Sequence, residues 1–483
     1  MNRRFHLIFI FLVFFLSCSE DESMEQTDDL VVLDPVLEVA DLILDIDENL
    51  DSGTLLGIFV TTQENLSNPI SYSITEISVL GSVQVDNDGR LTIADPSAFD
   101  FEARPSIEGT ISATSGDVSD NAQFTITIND VNEPVVFISR WNVTNESRTV
   151  RLPIYAGEGN DLTAYDFTVD WGDGTVDEVT SFDDADATHT YTNAGMQTVT
   201  ISGFIKGFNF GQVPDSRDLF YDVLQWNGLN LGNADRHFEL CANLIGFSAT
   251  DSPNIRAMTS MRFMFSSASM FNGDISHWDV SNITDMTGVF VIATSFDQNI
   301  SSWDVSKVMT MTGMFASAEA FNQDISGWDV GNVTDMEAMF ASTTVFNQDI
   351  SSWNVGQVSE FRAMFRDAVA FNQDISAWNM DNALDLGLMF SGASSFDHNL
   401  SSWNVSNVTQ MDWMFENAIT FNQDISNWNV GQVTDMREMF RNASVFSQDL
   451  SNWDTSNVTT CTDFSTGSAL EMEQLPTLGC FAP

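Results

Sequence analysis

Asp274-Ile275-Ser276-His277-Trp278-Asp279-Val280-Ser281-Asn282-Ile283-Thr284-Asp285-Met286-Thr287-Gly288-Val289-Phe290 decides how this chain is read, because the same pattern returns at a fixed step as far as Phe464. Trp278, Trp303, Trp328, Trp353, Trp378, Trp403, Trp428 and Trp453 lie 25 residues apart, and no insertion breaks the register. Two Phe columns keep the same step, one from Phe265 through Phe290 to Phe440 and one from Phe271 through Phe296 to Phe446. A period of this length marks a solenoid, in which each repeat contacts its neighbours. A lone coil does not bury enough apolar surface to offset the ordering of its own backbone, so the copies must stack.

Within a unit, Ile275, Trp278, Val280, Ile283 and Met286 copy the Leu-x-x-Leu-x-Leu spacing of a leucine-rich repeat. The Trp-x-Val pair alternates as a one-sided strand does. Thr-Asp ahead of Met-x-x-Met-Phe supplies a helix cap and then apolar residues three and four apart, which predicts one or two helical turns. Each coil is therefore expected to be a short strand, a turn, a short helix and a return loop. At a strand spacing of about 4.8 Å, eight coils make a spine roughly 35 Å long.

The 483 residues carry 69 acidic against 17 basic side chains, a formal charge of −52, and only Lys206 and Lys307 as lysines. Such a surface repels phosphate backbones and excludes nucleic acid as a partner, while it attracts divalent cations. The cysteines are Cys18, Cys241, Cys461 and Cys480, too few and too scattered for a disulfide framework or a zinc site. Cys461 stands where the repeat has Met and can pair with Cys480 to seal the last coil. Cys241 reads as a buried apolar filler.

In chain order, residues 1–17 read as a targeting segment: Arg3 and Arg4, then an apolar run from Leu7 to Leu16 that is too short to span a bilayer. Phe15-Leu16-Ser17-Cys18 resembles the lipobox of bacterial lipoproteins, with Phe in place of the usual Leu. The resemblance implies cleavage before Cys18 and its acylation, hence a lipid anchor in the membrane. Ser19-Glu20-Asp21-Glu22 resembles the acidic tag of Bacteroidetes lipoproteins exported to the face of the outer membrane. Residues 18–31 as a whole read as an acidic tether.

From 32 to 134 the sequence alternates, as in Ile70-Ser71-Tyr72-Ser73-Ile74 and Phe124-Thr125-Ile126-Thr127-Ile128, and predicts a β-sandwich. Asp47-Glu48-Asn49, Phe99-Asp100-Phe101-Glu102 and Asn129-Asp130-Val131-Asn132-Glu133-Pro134 resemble a cadherin repeat. The resemblance implies that Glu48, Asp100, Glu102, Asp130 and Asn132 converge as oxygen ligands for calcium, which takes six to eight of them. Residues 135–205 carry Val169-Asp170-Trp171-Gly172-Asp173-Gly174-Thr175 and His189-Thr190-Tyr191, and resemble a PKD-type sandwich. Asp170 and Asp173 are expected to build its turn. Residues 206–260 read as a cap, 261–466 as the eight repeats and 467–483 as a C-terminal cap. The PKD-like module, the cap and the repeat together resemble BspA-type leucine-rich bacterial surface proteins. The expected fold is thus multidomain and mainly β, two β-sandwich modules followed by a right-handed leucine-rich-repeat-like solenoid of short strands and short helices.

On a strand of this kind the residue after each Trp faces solvent. Asp279, Asp304 and Asp329 would then lie about 5 Å apart, close enough to raise a pKa or recruit a cation; the alternative is that each bonds the turn that follows it. Arg362, Arg366, Trp413, Arg437 and Arg441 gather in the second half of the array as an interface candidate, or as contacts between coils. No nucleophile is paired with a base, and the five histidines are scattered, so the chain is not expected to be an enzyme. The expectation is a lipid-anchored adhesion protein whose solenoid binds protein or matrix; a glycan-binding lipoprotein for polysaccharide capture is the alternative.

Overall fold

The computed structural model describes residues 34–101, 104–129, 131, 134–156, 165–205 and 207–482. They form a mainly β protein of several sheets, with no α-helix among the described residues. None of them forms a helix long and apolar enough to cross a membrane. The chain divides into two compact units, Met1–Asp130 and Val131–Pro483. The expected signal segment, Cys18 and the tether lie outside the described residues.

In the first unit, strands β1 (Val36–Val39) and β4 (Thr61–Glu64) pair with each other. Strands β2 (Leu42–Asp47), β9 (Val118–Asn129), β8 (Ser106–Ser115) and β5 (Ser71–Ile77) form one sheet in that order, with β2 parallel to β9. Strands β3 (Leu55–Ile58), β7 (Arg90–Ile93) and β6 (Val83–Val85) form another. The alternation in β9 buries Ala122, Phe124, Ile126 and Ile128 on one face, where they join Leu91 and Ile93 of the other sheet in a shared core. Gly109 in β8 is required there, because any Cβ would collide with the Phe124 ring.

The second unit begins with strands β10 (Val135–Val143), β11 (Thr149–Arg151), β12 (Asp166–Asp170), β13 (Val176–Val179), β14 (Thr188–Thr190), β15 (Gly195–Phe204), β16 (Phe220–Gln225) and β17 (Gly246–Phe247). Six of them make one sheet in the order β13-β12-β15-β10-β16-β17. Central β10 turns Val135, Phe137, Trp141 and Val143 inward. Both β16 and β17 come from the stretch 206–260, so the sheet crosses the expected limit at residue 205. The core is continuous from Val135 to Phe464.

Beyond β17 the repeats stack in register through single parallel bridges: Ser260, Asp285, Thr310, Asp335, Glu360, Asp385, Gln410, Asp435 and Thr460 each pair with the next. The expected strand at Trp-x-Val and the expected short helix are both absent. Backbone pairing falls instead at Thr-Asp-Met and the residues after it. In one coil the N–H groups of Met286, Gly288, Phe290 and Ile292 donate to the carbonyls of Thr310, Thr312, Met314 and Ala316 at 2.8–3.0 Å. The intervening N–H groups of Val289, Val291 and Ala293 bond three residues back within their own coil.

Left-handed backbone explains the difference. Gly288 has φ +61° and Ile292 φ +60°, and the first position repeats through Ala338, Ala363, Leu388, Trp413 and Glu438 at φ +53° to +60°. Positive φ at the third residue of a turn is what a type II turn demands, and it ends a right-handed helix before one closes. The run is therefore a chain of turns, with every second N–H freed for the next coil.

Side chains stack on the same step. Phe290 and Phe315 lie 5.6 Å apart and 9° from parallel, and Phe290 and Phe296 face each other within their coil at 3.9 Å. Each indole N–H from Trp303 to Trp453 donates to a carbonyl of the preceding coil, as Trp353 does to Ile325 at 3.1 Å. The last coil is sealed by the Cys461–Cys480 disulfide, whose Cα atoms are 6.1 Å apart, while Cys241 is buried and free.

Trp353 is 4% exposed, so Trp353→Ala should destabilise the second unit by about 4 kcal/mol. Trp353→Phe keeps a ring and removes one of the two donors to the Ile325 carbonyl, which retains the Trp328 N–H, and should cost about 0.5–1.5 kcal/mol. Denaturant unfolding of the full chain measures both; an Ala variant as stable as the parent would mean that the indoles do not share this core.

Candidate functional site

Three polar columns run along the coils, and each is tied to the backbone. In the column after Trp, Oδ1 of Asp279, Asp304 and Asp329 accepts the N–H of Ser281, Ser306 and Gly331 at 3.0–3.2 Å. Asn354, Asn379, Asn404 and Asn429 do the same for their own turns. Asp and Asn interchange there because a short side-chain oxygen two residues ahead of a free N–H is all the turn requires.

Of the two readings of Asp279, Asp304 and Asp329, these bonds are those of the turn-closing one. The Asp304 carboxyl is held below its ordinary pKa by the Ser306 hydroxyl and then by the Ser306 N–H, the opposite of the rise that crowded like charges would cause. Asp279 also faces Arg256 at 3.8 Å. Among the described residues, no group of three His, Cys, Asp or Glu side chains is arranged to hold a metal ion.

A second column, Asp274, Asn299, Asp324, Asp349, Asp374, Asn399, Asp424 and Asp449, closes turns onto Ser residues in the same way. In the third, Oδ1 of Asn322 accepts both the N–H of Asn347 and the amide of Gln348 in the next coil, each at 3.0 Å. Asn272, Asp297, Asn347, Asp397 and Asn422 repeat the arrangement.

The face that departs from this monotony carries the arginines. Arg362 Nη2 donates to Asp412 Oδ2 at 2.8 Å and Nη1 to Asp385 Oδ1 at 3.3 Å, so one guanidinium ties together three coils. Asp412 is 3% exposed, and Gly387 leaves the gap through which Arg362 reaches it, since a Cβ there would collide with the guanidinium. Arg437 lies over the part-buried Trp413 ring at 4.7 Å and pairs with Asp435 at 2.6 Å. Arg441 pairs with Glu438 and Glu416, and exposed Arg366 with its neighbour Asp367. Of the five candidates, Arg362 and Arg437 mainly brace coils, and Arg366, Arg441 and Trp413 keep surface. Sequence reading missed Asp412, although Arg362, Gly387 and Asp412 follow one another at the 25-residue step.

In the first unit, Glu48 is 4% exposed and its Oε2 accepts the Phe101 N–H at 2.7 Å. Asn49 N–H meets the Phe99 carbonyl at 3.4 Å and Glu48 N–H the Asn129 carbonyl at 3.3 Å. Two of the three segments of the expected calcium set, and the residue that precedes Asp130, thus gather at Glu48. Glu48 and Asp100, the two described members of the set, therefore lie on adjoining segments. Glu102, Asp130 and Asn132 lie outside the described residues.

In the second unit, Asp170 and Asp173 accept from Gly172 and Thr175 and so build the hairpin turn. Asp173 also meets His189 Nε2 at 2.8 Å, which holds its carboxyl below the ordinary value.

Four overlapping stretches, residues 233–340, 303–397, 324–417 and 375–475, match the family described as Mycoplasma protein of unknown function, DUF285. No curated protein matches the chain by sequence. Among solved structures, the chain is similar to the protocadherin gammaB4 extracellular domain at 20% identity, with 21% of this chain and 18% of that one covered and a TM-score of 0.19. It is similar to human protocadherin-24 EC1-2 at 16% identity, covering 21% and 47% with a TM-score of 0.19. For Drosophila N-cadherin EC1-4 the values are 20% identity, 20% and 25% coverage, and a TM-score of 0.19. The chain covers less than half of the length of each.

Two sets of carboxyls give stability opposite dependences on pH. Burial, with Asp335 next, raises Glu337; burial, then Asp385 and Asp335, raises Glu360; and burial raises Asp385. The folded state holds these protons more tightly than the unfolded chain, so stability is lost as pH rises above the ordinary carboxyl range. The turn-closing carboxylates, among them Asp274, Asp324, Asp374 and Asp424, are lowered by Ser276, Ser326, Ser376 and Ser426, and they stabilise the fold until pH falls through their own values. Buried His237, whose pKa burial lowers to about 4, adds to the acid-side loss, because the unfolded chain protonates its imidazole from about pH 6.5 down. The melting temperature of the second unit should therefore fall as pH drops below about 6, with the three raised carboxyls opposing that fall. Glu337→Gln, Glu360→Gln and Asp385→Asn together should remove the opposition and steepen the fall in a calorimetric series; a triple variant with the parent's pH profile would contradict the assignment.

Proposed function

Since the chain belongs, over half of its length, to the family described as Mycoplasma protein of unknown function, DUF285, we propose that its stacked coils are the binding surface of a protein displayed outside the cell. In this reading the coils are a right-handed solenoid of the leucine-rich-repeat class, similar to BspA-type surface proteins. A lipid on Cys18 holds the chain in the bacterial outer membrane, and the solenoid contacts a protein or matrix ligand. The role is adhesion, and no chemical step is assigned to any residue.

One observation carries the reading: the face of Arg366, Trp413, Arg437 and Arg441 breaks an otherwise periodic surface with aromatic and guanidinium groups. Those two side-chain types dominate the energetics of protein interfaces, and here they are held in place by pairing within the stack. In the first unit, Glu48, Asp100, Glu102, Asp130 and Asn132 are the residues that would hold calcium, as in the cadherin repeats which that stretch resembles. The ion would neutralise their charge and tie their three segments together.

The test uses the full chain on a sensor surface, with and without chelator, against a panel of extracellular-matrix proteins and a glycan array. Saturable binding to a protein ligand is expected, weakened about thirtyfold or more by Trp413→Ala with Arg366→Ala, the loss of one interface anchor being worth about 2 kcal/mol. Sharp saccharide hits with no protein ligand would replace adhesion with polysaccharide capture, and turnover of any small molecule would overturn both.

A further inference from the structure

The coil-to-coil ladder is polar in one direction. In each interior coil the carbonyls of one row accept from the coil before, as Asp285, Thr287, Val289 and Val291 do from Met261, Phe263, Phe265 and Ser267. The N–H groups of the same peptides, at Met286, Gly288, Phe290 and Ile292, donate to the coil after. Four peptide groups per coil therefore point the same way along the stack, whereas the edge of a β-strand offers donors and acceptors in turn. Such an array ends in a row of bare carbonyls on one side and a row of bare N–H groups on the other.

The two ends are treated differently. At the start, the Asp235 carbonyl accepts from the Asn209 side chain at 2.9 Å and the His237 carbonyl from the Phe210 N–H at 2.8 Å, so two carbonyls of that row are covered. At the far end, Met436, Glu438, Phe440 and Asn442 donate to Thr460, Thr462, Phe464 and Thr466. The next donors in register are the N–H groups of Cys461, Asp463, Ser465 and Gly467, and none of them meets an acceptor among the described residues. Asp463 at φ +54° and Gly467 at φ +81° keep the left-handed pattern of every interior coil, so the row stays in the ladder's own conformation. The segment that follows covers the apolar interior instead: Leu450 N–H donates to Gln474, Cys480 N–H to Val458, and Phe481 stands edge-on to Phe464 at 4.8 Å. The disulfide fixes that cover and leaves the donor row open.

We infer that this row is a docking edge for one more coil of the same Thr-Asp-Met-x-x-Met-Phe type, presented by another chain. The occupant must offer four carbonyls on alternate residues, all on one side. A coil in the alternating right- and left-handed conformation does so, and each contact between interior coils of this array is made that way. An ordinary extended strand interleaves its own N–H groups with its carbonyls and leaves some donors facing donors. Small anions also bind rows of backbone N–H groups, but the Asp463 side chain stands in this row and the chain carries a net charge of −52. The edge is separate from the arginine face, and holds whether or not that face binds a ligand.

Hydrogen exchange at residues 460–468 of the full, disulfide-closed chain tests the inference, with a synthetic peptide of residues 331–355 as probe. Excess peptide is expected to slow exchange of the four amides by about tenfold or more, as recruitment into a hydrogen-bonded ladder does; a scrambled peptide of the same composition and inorganic phosphate should leave it unchanged. Ser465→Pro removes one donor that the fold does not use, and should lower peptide affinity in a variant that calorimetry shows to be folded. Unaltered exchange, equal protection by the scrambled peptide or by phosphate, or undiminished binding to a folded Ser465→Pro variant would each overturn the docking edge. Should that variant fail to fold, the comparison of repeat and scrambled peptides on the parent chain decides.

Discussion

Hydrogen bonds between one coil and the next are the constraint on which the second unit depends. A single coil of this sequence has a thin apolar side and a backbone twisted twice into the left-handed region, at a cost of about 1–2 kcal/mol for each residue other than glycine. What offsets that cost is available only in a stack: four N–H groups per coil find carbonyls one step on, each indole from Trp303 onward finds a carbonyl one step back, and the Phe rings lie face to face at 5.6–5.8 Å. Folding and stacking are consequently the same event. The β-sheet that opens the unit leads into the stack, with Val223 paired to Phe247 across β16 and β17 ahead of the array along the chain.

The charge pattern follows from the same geometry. Stacking at a fixed step places like residues over like residues, so any charged column repels itself unless its members are neutral or bonded to backbone. The columns after Trp and after Phe answer with Asn, or with Asp that accepts N–H groups from its own turn or the next coil. Where carboxyls crowd without enough such donors, around Asp335, Glu337, Glu360 and Asp385, two answers appear. The pKa values of Glu337, Glu360 and Asp385 rise, and Arg362 reaches across two steps to Asp385 and Asp412. A chain with so few cations places one of them where the stack most needs it.

The repeat step, the buried columns, the turn-closing role of Asp170 and Asp173, and the place of the sealing disulfide were legible in the sequence, because each depends on residue type at a fixed interval. The local backbone was not. Met286, Val289 and Phe290 are spaced like one face of a helix, and consecutive turns give the same spacing. The usual warning, a glycine where φ is positive, is missing at Ala338, Ala363, Leu388, Trp413 and Glu438. Those residues are held in the left-handed region by bonds to residues 24 positions away, a tertiary effect that a local window does not register. The pairing of Asp279, Asp304 and Asp329 with their own turns was open in the sequence as one of two readings, and the hydroxyl or glycine two residues on decided it. Arg362 and Asp412 are 50 residues apart, and only the stacking step connects them.

The central claim is that successive indoles occupy one dry interior and are hydrogen-bonded to the coil before them. Exchange of the Trp indole N–H protons in deuterated water, followed by NMR, tests it most directly. The account predicts that the indoles of Trp303, Trp328, Trp353, Trp378, Trp403, Trp428 and Trp453 exchange slowly as a group, and that Trp278, buried but without such a partner, exchanges faster than they do. Fast exchange at all eight positions would contradict the stacked core and everything argued from it.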